Sequence, residues 1–137
     1  MRATLFNQAI GAAQALAAVP TSQLLLTDAP RSLCVQANFT YGSGGTTLNA
    51  YLQTSLDGGV TWIDIAQFSF ATASARFVYN LSSLTPVTTE YTPTDGTLSS
   101  NTAKDGILGP LFQVKLASTG TYAGSNLRID VVANDRN

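Results

Sequence analysis

A strict two-residue alternation between Ser32 and Tyr41 is the feature that most constrains the fold of this chain. Its apolar members are Leu33, Val35, Ala37, Phe39 and Tyr41. Successive side chains of a β-strand point to opposite faces, so a period of two places one apolar set on the covered side and one polar set in solvent. The segment therefore predicts a half-buried strand within a sheet that has one covered face.

Further strand-like segments follow, separated by glycine-rich turns at 42–45 and 118–124. Strands are predicted at 48–53, 61–70, 76–81, 111–116 and 127–133. The chain contains 18 threonines and one glutamate, a balance that favours strands because β-branched side chains suit a pleated surface. Short strands at even spacing are typical of sandwiches and jelly rolls. With 137 residues, the chain is predicted to be an all-β, single-domain antiparallel β-sandwich, jelly-roll-like.

The segment 1–30 is expected to form an N-terminal arm and a first strand, ahead of a β-sandwich domain at 31–137. The start of the chain fits three interpretations: a cleaved signal, a short amphipathic helix, or an extended arm ending at Pro20. It is too short to span a bilayer. As a contact arm, it would use three apolar anchors, Leu5, Phe6 and Ile10.

A long loop is predicted at 82–108, where Pro86, Pro93 and two Asp-Gly pairs interrupt any regular pattern. A short strand at 87–91 is possible inside it. Loops of this length in compact domains are usually functional or disordered. Both a contact loop and a solvated flap remain open interpretations.

The composition excludes most catalytic chemistry. Histidine is absent and Cys34 is the sole cysteine, so Ser-His, Cys-His and His-metal sites cannot be built. The carboxylate pairs Asp57/Asp64 and Asp95/Asp105 are the candidates for acid/base chemistry. Asp64 lies on a predicted strand and its face is ambiguous, whereas the others lie in turn dipeptides, where aspartates mostly cap and bend the chain. Charged residues form 11% of the chain, with 7 basic against 8 acidic, which disfavours binding to nucleic acid. We therefore expect no enzyme activity, no catalytic residues, no metal and no cofactor, and no membrane partner.

The sharpest local motif follows the second predicted strand and fits S-x-D-x-G-x-T-W. Its fixed positions are Ser55, Asp57, Gly59, Thr61 and Trp62. Asp57 can accept hydrogen bonds from turn amides, glycine can adopt positive φ, and Trp62 can pack against the hairpin. The motif resembles the Asp-box hairpin of sialidases and other β proteins. That resemblance implies a structural corner and no reaction.

The stretches 39–89 and 92–133 resemble small virion proteins encoded by tailed phages and prophages. The runs FTYGSGGTTLNAYLQTSLDGGVTW and LGPLFQVKLASTGTYAGSNLRIDVVA carry this resemblance. It implies a capsid cement or decoration protein that binds the outer surface of the phage head and stabilises contacts between capsid subunits. The implied partners are the major capsid protein and further copies of this chain, as a dimer or trimer. The protein would be made in the host cytoplasm and reside on the virion.

An alternative function is a head-spike or tail accessory module that binds host-surface carbohydrate. Its candidate stacking residues are Tyr41, Tyr51, Trp62, Tyr91 and Tyr122. Aromatic residues form 9% of the chain and are not enriched, which weakens this interpretation.

Overall fold

The structure, a computed structural model, describes residues 1–134, which form eleven strands and one 3-10 turn at Pro20–Ser22. The strands are β1 (Arg2–Ile10), β2 (Gln14–Ala18), β3 (Leu24–Leu25), β4 (Ser32–Thr40), β5 (Ser43–Gly44), β6 (Thr47–Ser55), β7 (Ile63–Phe70), β8 (Ala75–Ser82), β9 (Leu111–Thr119), β10 (Tyr122–Ala123) and β11 (Ser125–Asn134). The sheets that they form pack together as a β-sandwich, so the predicted all-β sandwich is confirmed. Within residues 1–134, no helix has the length and hydropathy needed to cross a bilayer.

A four-stranded sheet and a five-stranded sheet make up the sandwich. Sheet A has the order β1-β11-β4-β8, and sheet B has the order β2-β9-β6-β7, with β3 also paired to β9. Every pairing is antiparallel, and β5 and β10 form a separate two-stranded ribbon. Among the eight strands of these two orders, the chain changes sheet at every step except from β6 to β7.

The core lies between the two sheets and is built from alternating side chains. In β4, the predicted inward set from Leu33 to Phe39 is at most 1% exposed, and the residues between them are half-buried or exposed. The Phe39 ring lies 5.2 Å from Phe70 and 5.7 Å from Tyr122, measured between ring centroids. The alternation in the sequence therefore identified the covered face of this strand.

The N-terminal segment is part of the sandwich, in contrast to the expected arm. Strand β1 pairs with β11 along its length, and β2 joins sheet B, so neither a helix nor a free arm is present at residues 1–30. Leu5, Phe6 and Ile10 are core residues, only 4–6% exposed, because a bulge between Thr4 and Phe6 accommodates an extra residue in β1. Their apolar side chains are buried within the chain itself and cannot serve as exposed contact anchors.

The other predicted strands coincide with observed ones within a few residues at each end. The exception is the stretch 87–91, which has no strand. It belongs to a long loop, residues 83–110, that connects β8 to β9. This loop folds against sheet B and determines which sheet surface remains open.

Candidate functional site

The loop 83–110 lies along β7, the edge strand of sheet B. The Gln67 backbone N–H donates to the Thr102 carbonyl oxygen at 2.9 Å, and the Lys104 N–H donates to the Ile65 carbonyl oxygen at 2.9 Å. An isolated antiparallel bridge joins the same stretches of chain. Because an unpaired edge strand presents free N–H and C=O groups to other chains, the loop removes part of this edge from solvent.

The carboxylate of Asp64 fixes the loop and is itself completely buried. Its donors are the Gln53 side-chain amide, the Thr94 hydroxyl and the backbone N–H groups of Gly96, Thr97 and Leu98, at 2.8–3.2 Å. A bulge in the β6–β7 pairing makes Asp64 the partner of Gln53, on the face of sheet B that looks away from the core. An acceptor with this many donors orders the loop, because the buried N–H groups of Gly96 and Leu98 would otherwise have no partner.

A network of amide side chains continues from Asp64 across the outer face of sheet B. Gln113 donates to the Gln53 side-chain oxygen at 2.8 Å, and Gln53 donates to Asp95 at 2.6 Å. Asp95 is also paired with Lys115 at 3.0 Å. Gln53 and Gln113 are at most 3% exposed, so this polar face is sealed under the chain's own loop.

A cavity of about 490 Å³ lies within the loop. The ring of Tyr91 forms part of its wall, and the ammonium of Lys104 lies 5.7 Å from the centre of that ring. The Tyr91 hydroxyl is buried with no hydrogen-bond partner. Its burial raises the pKa of Tyr91, and the negative charge of Asp64 raises it further.

The structure brings the five residues of the Asp-box-like motif together in the β6–β7 turn. Thr61 donates to the Asp57 carboxylate through its N–H at 2.9 Å and its hydroxyl at 2.6 Å, and the Ser55 hydroxyl donates at 2.9 Å. These hydrogen bonds, chiefly those from Thr61, lower the pKa of Asp57 from 3.8 to about 2. Gly59 has φ of 93°, and Trp62 is half-buried beside it. The motif occupies a structural corner of the hairpin.

The carboxylates considered for acid/base chemistry are each engaged by structural partners. Asp57 holds its turn, Asp64 holds the loop and Asp95 pairs with Lys115. Asp105 accepts from the Ser82 N–H at 2.6 Å, which chiefly lowers the pKa of its carboxyl group. Within the part of the chain that the structure describes, no group of three or more His, Cys, Asp or Glu side chains could hold a metal ion.

The five aromatic residues considered for sugar stacking do not form an exposed platform. Tyr51 and Tyr122 are buried, at 9% and 2% exposure. Tyr41, Trp62 and Tyr91 are half-buried, and Tyr41 packs edge-on against Tyr122 with ring centroids 6.2 Å apart. Stacking on a sugar requires an accessible ring face, so this arrangement does not favour the carbohydrate-binding alternative.

The outer face of sheet A is open, and the strand register defines its side chains row by row. The first row is Arg2, Val132, Cys34 and Asn80; the second is Thr4, Asp130, Gln36 and Val78; the third is Asn7, Arg128, Asn38 and Arg76; the fourth is Ala9, Asn126 and Thr40. Directly opposed residues share one side of a sheet, so all of these point away from the core. Sequence alternation predicts the outward set of β4, but only the register assembles the four strands into one surface.

Apolar and polar groups are mixed on this face. Val78 and Val132 are 59% and 52% exposed, and Cys34 is also exposed. They border a hollow of about 370 Å³. Beside it, Arg128 pairs with Asp130 at 2.9 Å. The face is therefore accessible and partly apolar.

Comparisons with protein-family models, curated protein sequences and solved structures returned no match to this chain.

Proposed function

We propose that this protein is a capsid cement or decoration protein of a tailed-phage head, bound to the outer surface of the shell. The observation that carries the proposal is the contrast between the two sheet faces. The loop 83–110 covers the outer face of sheet B over β6 and β7, although β2 stays exposed, whereas the outer face of sheet A is left open with Val78 and Val132 exposed. An open sheet face with exposed apolar side chains suits contact with another protein.

The strand order supports the jelly-roll part of this proposal. The eight principal strands divide equally between the two sheets, and only the step from β6 to β7 stays within one sheet. Double-sheet jelly rolls consist of eight strands arranged as two Greek keys, and they recur in viral capsid proteins. Fold alone does not imply function, so the sequence resemblance and the open face carry the functional argument.

In the proposed mechanism, the protein holds neighbouring capsid subunits together. A rigid sandwich that contacts two neighbouring capsid subunits opposes their separation, because pulling them apart would expose the surface buried by both contacts. Once one contact has formed, the second becomes effectively intramolecular. Strand and residue spacings give the four rows of sheet A a flat area of about 500 Å². A standard interface buries about 800 Å² on each partner, so this face supplies more than half of one side.

The partners in this proposal are the major capsid protein and further copies of the chain, as a dimer or trimer. Because Leu5, Phe6 and Ile10 belong to the core, the contacts come from the folded surface rather than from an N-terminal arm. The proposed location is the outside of the virion head after synthesis in the host cytoplasm.

The copy number of this chain relative to the major capsid protein tests the proposal. Quantitative mass spectrometry of purified particles would measure the ratio directly. Near-equal amounts are expected for a protein that covers the whole head. A dozen or fewer copies per particle would instead favour the spike or tail accessory function, and absence from the particle would refute a virion role.

A further inference from the structure

Charge is divided unevenly between the two sides of the sandwich. The outer face of sheet A carries three arginines and one aspartate, a net charge of +2; these are Arg2, Arg76, Arg128 and Asp130. Sheet B with its turn and loop carries two lysines and five acidic residues, a net charge of −3; these are Lys104, Lys115, Asp57, Asp64, Glu90, Asp95 and Asp105. The open face is therefore basic although the whole chain has a net charge of −1.

A partly apolar hollow lies on this face, and its lining includes one basic residue, Arg2, and one acidic residue, Asp130. Val78 and Val132 lie on its border, and Arg2 contributes to its rim. Arg2 and Arg76 stand at opposite corners of the four-stranded face, about 20 Å apart by strand and residue spacing. Arg76 is exposed, and its guanidinium has no acidic partner among the described residues, whereas Arg128 is paired with Asp130. The face therefore offers the hollow and at least one unpaired cation, the guanidinium of Arg76.

We infer that this face docks on an acidic protein surface, with a projecting apolar side chain in the hollow between Val78 and Val132 and a carboxylate beside Arg76. The inference rests on the proposed function, in which that surface belongs to the major capsid protein. Arginine pairs with carboxylate groups through paired N–H donors. Charge complementarity of this kind selects the partner and orients it before the apolar contact forms.

The mixture of groups favours a protein partner over nucleic acid. Tight binding of nucleic acid requires basic side chains that neutralise several phosphates together. Here one of the three arginines is paired within the face, and exposed valines occupy the space between the other two. Valine side chains do not bind phosphate groups, whereas protein interfaces combine an apolar centre with a charged rim.

Cys34 provides a site-specific probe because it lies on this face and is the sole cysteine. Purified heads from cells that lack the gene for this chain would be mixed with the purified protein. Alkylation of Cys34 by iodoacetamide would then be compared between free and bound protein. A Cys34→Ser, Ser99→Cys variant places the thiol on the exposed loop of the opposite side as the matched control. We expect Cys34 to be protected in the complex, whereas the thiol introduced by Ser99→Cys should react in the complex as it does in the free variant.

Charge reversal gives a second, independent readout. Arg76→Glu is expected to weaken binding to the heads by about ten-fold or more in 50 mM salt and by less in 300 mM salt, since screening reduces charge effects. Arg31→Glu makes the same change at an exposed residue just before β4 and outside the four rows. It is expected to change the affinity by less than about three-fold. Thermal unfolding of both variants checks that the exposed substitutions leave the fold intact.

The outcomes separate the inference from the proposed function. Protection of Cys34 together with selective loss for Arg76→Glu supports the docking face. Binding with Cys34 still reactive and Arg76→Glu unaffected overturns the inference while the cement function stands. No binding of the unaltered protein to the heads overturns the proposed function and the inference with it. Binding to double-stranded DNA that shows the same dependence on Arg76 overturns the protein partner.

Discussion

Replacing Asp64 by asparagine tests whether one buried carboxylate holds the loop 83–110 against sheet B. The substitution preserves the shape of the side chain but converts one of its two acceptor oxygens into an amide donor. In the structure, one Asp64 oxygen accepts from the Thr94 hydroxyl and the loop backbone, and the other accepts from Gln53. In either orientation of the new asparagine side chain, its NH₂ group faces a buried donor instead of an acceptor.

The magnitude follows from the hydrogen bonds that are lost. At least one buried donor is left without an acceptor, which costs about 1–3 kcal/mol. The remaining hydrogen bonds lose their charge-assisted character, which makes them weaker. Together these effects predict a loss of about 2–4 kcal/mol for Asp64→Asn, a large part of the 5–15 kcal/mol typical of a domain. Asp64→Ala removes both acceptor oxygens and leaves more than one buried donor unpaired, so it is expected to cost about 3–5 kcal/mol.

Two assays separate global unfolding from release of the loop. Urea unfolding followed by fluorescence of Trp62, the sole tryptophan, reports the free energy of unfolding. Trypsin cleavage after Lys104, the lysine within the loop, reports local opening. Asp105→Asn makes the same chemical change at an exposed carboxylate of the loop and is expected to have a smaller effect in both assays. A loss below about 0.5 kcal/mol for Asp64→Asn, with unchanged cleavage after Lys104, would refute this account of the loop.

Two further pairs of substitutions probe the turns. An NMR titration should give Asp57 a pKa of about 2, and Thr61→Ala should move that pKa upward because Thr61 supplies the largest stabilisation of the carboxylate. The pKa of Asp57 in the folded protein lies below the ordinary value of 3.8. Its contribution to stability is therefore complete above about pH 4 and is lost as the pH falls through about 2. Asp57→Asn should remove that part of the pH dependence of stability. Gly45→Ala should destabilise the protein by about 1–3 kcal/mol or more in chemical unfolding, since φ is +71° there and a Cβ would collide with the Tyr122 ring. At Gly11 a Cβ would meet nothing within 4 Å, so Gly11→Ala should change stability by less than about 0.5 kcal/mol; equal losses at the two glycines would contradict the steric argument.

Strands β4, β8 and β11 were predictable because each buries one face. In β4, period-two alternation marked the inward residues from Leu33 to Phe39, and burial follows that marking. The N-terminal segment was harder, because its alanine run fits a helix and a strand equally well. Its strand conformation depends on pairing with β11, which lies more than a hundred residues away in sequence and is the neighbour of β1 in sheet A.

The buried polar face of sheet B could not be predicted from local pattern. Asp64 and Gln67 lie on the outer face of sheet B, and they are buried because the loop 83–110 folds over them. The bulge in the β6–β7 pairing also shifts the parity of β7, which left the orientation of Asp64 ambiguous. A buried carboxylate surrounded by backbone amides is a long-range product of the fold, and a one-dimensional pattern does not contain it.

The central position of β11 in sheet A has a consequence for synthesis on the ribosome. β1 and β4 are made early, yet both pair with β11, which follows every other strand in chain order. Until β11 emerges, these two strands lack the neighbour that joins them, so sheet A cannot form in its final order. Non-local pairing of this kind slows folding and prolongs the exposure of unpaired strand edges. The nascent chain is therefore expected to gain its sheet A structure late, in one cooperative step after β11 is released.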